Sequence, residues 1–365
     1  MLTNGTFFLP GPTEVRPEIL QELTRPMLPH RGAAFEAIYA RCDAGLRAIF
    51  RTSRPVYIAS ASATGLMEGA IRCSPAGTVL SLVNGAFSER FADVAVSCGR
   101  VVVRDVVELG MHHTAQKVAA LLESSGARVV TLTHSETSTG AMNDIERIAR
   151  VVHAAGAVIL VDSVTGLAGA RLETDEWELD FVFTGSQKAL ALPPGLALGV
   201  ASASFIAAAA KNIDRGTYFD LVEFEKYAAK NQTPNTPAIS LFHALAAQVE
   251  AIVAEGLEER WARHLAMQAT TVTWAERYLR DMHPAFGVLA PPSGRSPTVS
   301  CITLPTTISG SAVAAAVSEL GYVIGAGYGP LRDRTIRIGH MGDHTLTGLS
   351  SCLTHVAGVL QMMLR

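Results

Sequence analysis

The chain is 365 residues long, 48% apolar, and carries 30 Lys plus Arg against 33 Asp plus Glu, a net charge of −3. A chain this apolar, with only 17% charged side chains, buries enough surface to offset its conformational entropy, which excludes disorder as the main state. The near-neutral balance supplies no field for a polyanion, which excludes a nucleic-acid binder by bulk charge.

Five cysteines (Cys42, Cys73, Cys98, Cys301, Cys352) are scattered and never in C-x-x-C spacing, so they imply neither a disulfide framework nor a zinc site. They read as buried thiols in a reducing compartment. The first residues, MLTNGTFFLPGPTEVRP, have no basic segment followed by an apolar one, and a cytoplasmic location is expected. The run Ala189–Ala210 is uncharged and long enough to cross a bilayer. Pro193, Pro194, Gly195 and Gly199 interrupt it, so no membrane span is expected there.

In chain order, β-rich runs recur at Val56–Ala59, Thr78–Val83, Val101–Arg104, Arg128–Thr133, Ala157–Val161, Asp180–Thr184 and Leu196–Ala201. Between the first six, the spacing predicts helices over Leu66–Ile71, Glu89–Ser97, Ala115–Glu123 and Ile145–Ala154. Near-continuous apolar strands alternating with helices predict an α/β fold with a mostly parallel sheet covered on both faces. Beyond Ser240 a long helical stretch is expected to about Arg280. A turn at Pro291–Gly294 follows, then Thr298–Leu304, a helix around Ser311–Leu320, Val323–Ile324 and Thr335–Ile338. The expected organisation is an N-terminal arm over 1–20, a large domain over 21–254 and a smaller α+β domain over 255–365.

Ligands of such sheets sit at the carboxyl ends of the strands. The strand AVILV ends in Asp162, and the next one runs into GSQKALALPPGL with Lys188. An acid and a lysine on consecutive strand ends can both face one crevice; a lysine reacts as an amine only when its pKa is lowered or when it forms a Schiff base, and a carboxylate at a strand end can hold a pyridinium nitrogen protonated. The small residues Ser60–Gly65 lead into a helix start, which is either an anion site or an ordinary helix capped by Ser or Thr. Phe87 follows the next strand and is either core or a ring stacked on a flat ligand. His134 and Glu136 lack metal-ligand spacing with other candidates and read as hydrogen-bonding groups. In Thr335–Gly339 the isoleucines share one face and Arg337 projects from the other, suited to grip a carboxylate by two parallel bonds. Arg332 and Arg334 read as surface charges.

The motifs LPGPTEVRP, His30-Arg31, HSETSTG, VDSVTGLAG, GSQKALALPPGLA, TPNTPAIS and IRIGHMG, in this order, resemble the class V aminotransferases of pyridoxal-phosphate fold type I, nearest the alanine-glyoxylate and serine-glyoxylate group. The resemblance implies a large domain on a seven-stranded sheet, with pyridoxal 5'-phosphate as cofactor and no metal. It implies Lys188 as the Schiff-base lysine, Asp162 as partner of the pyridine nitrogen, Phe87 stacked on the ring and Val164 on its other face. Ser62, Ala63, Thr64 and Gln187 fall at phosphate positions, and Thr137 falls where a hydroxyl meets the pyridoxal oxygen. Thr233 and Thr236, with Asn235 between them, fall where a second subunit completes the phosphate site, which implies a homodimer. Arg337 falls at the substrate carboxylate. His30, Arg31, Tyr218 and Tyr328 are candidates for the side-chain pocket.

The implied activity is transfer of an amino group from a small amino acid of the alanine or serine type to a 2-oxo acid such as glyoxylate or pyruvate, with ping-pong kinetics. Ureidoglycine-glyoxylate, pyridoxamine-pyruvate and aminoethylphosphonate-pyruvate aminotransferases share the pattern. So does a lyase of the cysteine desulfurase kind, which would need a mobile nucleophilic cysteine. Retention of both Lys188 and Asp162 argues against a non-catalytic binding protein on the same scaffold.

Overall fold

A computed structural model of the protein describes residues 5–365; the first four residues of the expected N-terminal arm lie outside the described ones. Seven strands form one sheet in the order Tyr57–Ala59, Ala197–Ala201, Phe181–Gly185, Val158–Asp162, Val129–Thr133, Val79–Val83, Val102–Val106. Only Ala197–Ala201 runs against its neighbours; the other ladders are parallel. Every residue of Val79–Val83, Val129–Thr133, Phe181–Gly185 and Ala197–Ala201 is buried. Burial on both faces is why these strands read as unbroken apolar runs rather than alternating ones. The uncharged run after Lys188 is therefore a loop, this antiparallel strand and the helix Ala203–Ala209. Among the described residues no single helix is long and apolar enough to cross a membrane.

A second sheet has the order Phe7–Phe8, Val323–Ala326, Thr335–Gly339, Val299–Thr303, Gly287–Val288. It has its own core, in which Phe8 packs with Met267, Ile302, Ile336, Ile338 and Leu353, while the first sheet's core runs from Ile19 to Trp261. Phe7–Phe8 pairs in parallel with Val323 and Ile324, so the N-terminal segment starts in the second sheet and then crosses to the first.

The single helical stretch expected from Ser240 to Arg280 is not continuous. Helix Ile239–Glu255 stops at Gly256 and Leu257–Thr273 starts after it, with the axes turned by 83°. Gly256 has φ +89°, a conformation that only glycine adopts without strain, and that residue makes the corner. The long C-terminal helix Leu346–Met363 was not anticipated. It is apolar on much of its surface, and no charged residue lies within it to give the opposite face a clear polar stripe.

Candidate active site

The carboxyl ends of the parallel strands converge on one crevice. Asp162 ends its strand and is 3% exposed. Its Oδ1 accepts the Val164 N–H at 2.8 Å, and among the described residues nothing bonds to Oδ2. Burial drives this carboxyl up to about 7; the Val164 amide, Lys188 and Arg90 oppose the rise, and Glu136 adds to it.

Lys188 follows the next strand, Phe181–Gly185, in a loop that Ser186 ties down. The Ser186 hydroxyl donates to the Pro193 carbonyl at 2.7 Å and accepts the Leu196 N–H at 3.2 Å. Lys188 is 8% exposed, its ammonium donates to the Pro10 carbonyl, and Nζ lies 5.8 Å from the Phe87 ring centre. Burial first, and then Arg337, pull its amine down to about 8, against Asp162 and Glu136. The LPGP segment is thus part of the crevice. Gly11 has φ +105°, and a Cβ there would overlap the Lys188 side chain, so glycine alone fits. The backbone N–H of Thr13 also donates to the Gln187 carbonyl at 2.9 Å.

Phe87 opens the helix Ala86–Ser97, whose start is held by Glu136. This fully buried carboxylate accepts the N–H groups of Phe87 at 3.1 Å and Ser88 at 3.0 Å, and the Ser88 and Ser138 hydroxyls at 3.0 and 2.6 Å. A carboxylate at a helix N-terminus satisfies open donors and favours the dipole. The motif HSETSTG therefore works by hydrogen bonding, as read from the sequence; His134 bonds through Nδ1 to the Ser163 hydroxyl at 3.0 Å, and burial holds its ring down to about 4. The Thr137 hydroxyl pairs with that of Thr165.

Arg337 reaches the crevice from the second sheet, between Ile336 and Ile338, both fully buried. Nε donates to the Ala326 carbonyl at 2.9 Å and Nη1 to the Thr137 carbonyl at 3.3 Å, which fixes the guanidinium and, among the described residues, leaves Nη2 without a hydrogen bond. Arg332 and Arg334 are exposed. Ser62 precedes helix Ala63–Cys73, and its side chain makes no capping bond, so the first-turn N–H groups beside Ala63 and Thr64 stay open to an anion.

The Thr233–Thr236 turn and Tyr218 line one small pocket with Ser60, at the start of the Ser60–Gly65 turn. Thr233 is buried and its hydroxyl donates to the Asn235 carbonyl at 2.7 Å in its own turn, while Asn235 and Thr236 are exposed. Arg31 grips that turn through the Thr233 and Pro234 carbonyls at 2.6 and 3.0 Å. Tyr218 is 51% exposed and its ring meets Phe219; Tyr328 alone of the four pocket candidates stacks beside Phe87, at 5.6 Å. Sequence reasoning assigned no role to Pro10 and Gly11, although LPGP stood out as a motif, and it missed Glu136 as the anchor of Phe87.

The residues fit a pyridoxal-phosphate group. A buried carboxyl has one uncommitted oxygen, a buried amine is spent on a single carbonyl, an aromatic ring stands beside that amine, and an uncapped helix start is open to an anion. Comparison with known proteins agrees. Residues 86–329 match the family model described as Aminotransferase class-V. The chain is 34% identical over 342 residues to an uncharacterized aminotransferase of Methanocaldococcus jannaschii, covering 92% of this chain and 87% of that protein. It is 31% identical to the L-aspartate-glyoxylate aminotransferase of Paracoccus denitrificans, covering 94% and 88%. The crystal structure of alanine-glyoxylate aminotransferase from Nostoc sp. superposes with a TM-score of 0.90 at 28% identity, covering 99% of this chain and 95% of that one. The chain belongs to the class V aminotransferases, pyridoxal-phosphate-dependent enzymes of fold type I.

Proposed function

We propose that this enzyme moves an amino group from a small amino acid of the alanine or serine type to a 2-oxo acid such as glyoxylate or pyruvate, as a cytoplasmic homodimer with ping-pong kinetics. The observation that carries the reading is the meeting of Lys188, Asp162, Phe87 and Arg337 in one crevice, each held by the bonds described above. When bound, pyridoxal phosphate supplies a carbonyl that takes up the amino group and a ring that accepts electrons.

The chain's own residues supply the rest. Lys188 holds the group and then moves the proton at the substrate α-carbon; an amine pulled down to about 8 is partly neutral near neutral pH, as a general base must be. Asp162 holds a proton at the ring nitrogen. The first turn of Ala63–Cys73, with Ser62, Thr64 and Gln187, receives the phosphate, and Thr137 and Val164 border the ring. Asn235 and Thr236, exposed on their turn, are the groups available to a second subunit, with Thr233 as the fastener of that turn. Arg337 takes the substrate carboxylate with Nη2 and the outer hydrogen of Nη1. A desulfurase reading is disfavoured by Cys301, the cysteine of the second sheet, which is fully buried in Val299–Thr303 and pushed up to about 11 by burial.

The test is a half-reaction without acceptor. Alanine or serine bleaches the visible absorbance of the bound cofactor, and glyoxylate or pyruvate restores it. A panel in which no amino acid bleaches the enzyme overturns the reading, and sulfide release from cysteine without a 2-oxo acid favours the lyase.

A further inference from the structure

Tyr328 stands where the two sheets' contributions meet. Its turn joins Val323–Ala326 to Thr335–Gly339, the strand of Arg337, and the backbone leaves it little freedom. Gly327 donates its N–H to the Thr335 carbonyl at 2.8 Å, a Cβ on Gly327 would overlap the Leu331 carbonyl, and Gly329 has φ +54°. The ring is 38% exposed, so it is not a core residue. One neighbour is the Phe87 ring, at 5.6 Å between centres with the planes 38° apart. Another is the Arg337 guanidinium, with Cζ 5.5 Å from the Tyr328 ring centre. Among the described residues no group hydrogen-bonds to its phenol. A partly exposed ring that touches both the ring beside Lys188 and the guanidinium of Arg337, with no hydrogen bond to its phenol among the described residues, is placed to face the substrate.

We propose that Tyr328 is a specificity-determining residue that sets an upper limit on the substrate side chain. The inference rests on the function proposed above. A substrate held by its carboxylate at Arg337 and by its amino group near Lys188 has its α-carbon between these two. The Phe87 and Tyr328 rings, in contact with each other and each close to one of the two cations, roof that space. Hydrogen or a one-carbon side chain fits beneath the pair, whereas each further methylene must part the rings. Rejection by an apolar wall is worth about 10- to 200-fold per methylene. Stacking also shields the guanidinium from water, which strengthens its hold on any carboxylate.

The test uses the full chain with cofactor bound and the unbranched donors alanine, 2-aminobutyrate and norvaline. The measured quantity is the apparent second-order rate constant of bleaching. The wild-type constant falls about tenfold or more with each added methylene. In Tyr328→Ala the fall shrinks to about threefold or less, and the concentration of alanine for half-maximal rate rises about tenfold. Tyr328→Phe keeps the wall and keeps the wild-type size profile. Calorimetric binding of the unreactive carboxylates propionate, butyrate and valerate, which carry the same side chains, follows the same order without any turnover. A Tyr328→Ala enzyme that bleaches with the wild-type size profile overturns the inference alone, as does a Tyr328→Phe enzyme that loses that profile. A wild-type enzyme bleached by none of the donors overturns the functional reading and this inference with it.

Discussion

Two clusters of buried charge lie on either side of the Lys188 loop, and they are built in opposite ways. Behind the loop, Arg260 is 1% exposed and fully engaged at its tip: Nη1 donates to Glu255 at 2.6 Å, and Nη2 donates to the Ala189 carbonyl at 2.8 Å and to Asp343 at 3.0 Å. Asp343 also accepts from Arg16 at 2.7 Å and Gln248 at 3.0 Å, and Gln248 donates to the Leu190 carbonyl at 2.9 Å. Burial raises the Asp343 carboxyl, yet Arg260, Gln248 and Arg16 together outweigh it and hold it below its ordinary value. In the crevice, Asp162 has one amide and Lys188 one carbonyl, and burial wins in both. Partners, not depth, decide whether a buried charge is a fastener or a reactive group. The fastened cluster grips both carbonyls that follow Lys188 and so sets the frame in which the unfastened pair is held.

The largest effect separates the two clusters by activity. On the proposed function, Lys188→Ala removes the proton-moving group and lowers turnover at least about a thousandfold, the range of a lost general base, measured as bleaching and as steady-state transamination. The same change stabilises the cofactor-free protein near pH 7. A lysine whose folded value is depressed carries a penalty that is full below about 8 and fades as pH rises toward its ordinary 10.5. Behind the loop the sign reverses. Arg260→Met leaves Asp343 without its buried cationic partner and costs about 3–5 kcal/mol, read from urea unfolding of the cofactor-free chain. A stable Arg260→Met protein would show that Arg16 and Gln248 suffice, and the contrast between the clusters would collapse.

The reactive cluster was far more legible in the sequence than its fastener. Asp162 and Lys188 announce themselves because each follows an apolar run that only a doubly covered strand explains, and Arg337 because it alternates with two isoleucines. Those are local signals with a period. The partners that tune them come from distant segments: Pro10 lies 178 residues from Lys188, and Glu136 lies 49 from the Phe87 amide. No periodicity links such pairs. Arg260 and Asp343 carry no signal in the sequence for the same reason, since the pairing spans 83 residues and joins two distant segments. The break at Gly256 was hidden in a stretch whose residues on both sides favour helix, and only one glycine's φ made the turn.

Asp162→Asn sharpens the comparison through pH. An aspartate raised from 3.8 to about 7 takes a proton more readily when folded, so the wild-type cofactor-free protein loses stability as pH rises from about 4 to about 7 and stays penalised above that. At 1.36 kcal/mol per unit the penalty is about 4 kcal/mol at most, and the neutral amide escapes it. The variant is therefore more stable than wild type at pH 8 by about 2–4 kcal/mol and indistinguishable at pH 4, while transamination falls. Equal stability of the two proteins at every pH would mean that Asp162 already has a second partner and belongs with the fastened groups.

The smallest effect tests whether partners matter without burial. Arg41 and Glu250 form a two-pronged pair at 2.7 and 2.9 Å, as well made as any bond around Arg260, but their side chains are 53% and 51% exposed. Water competes for both ions, and salt screens what remains. Glu250→Gln therefore changes unfolding stability by less than about 1 kcal/mol, and the change shrinks further in 0.5 M salt. Arg260→Met stays costly in that salt, because its ions are withdrawn from the solvent that carries the screening. If both variants respond to salt alike, the strength of the fastened cluster is electrostatic steering at the surface rather than pairing in the interior. Depth would then have to return to the argument as an equal partner of hydrogen bonding.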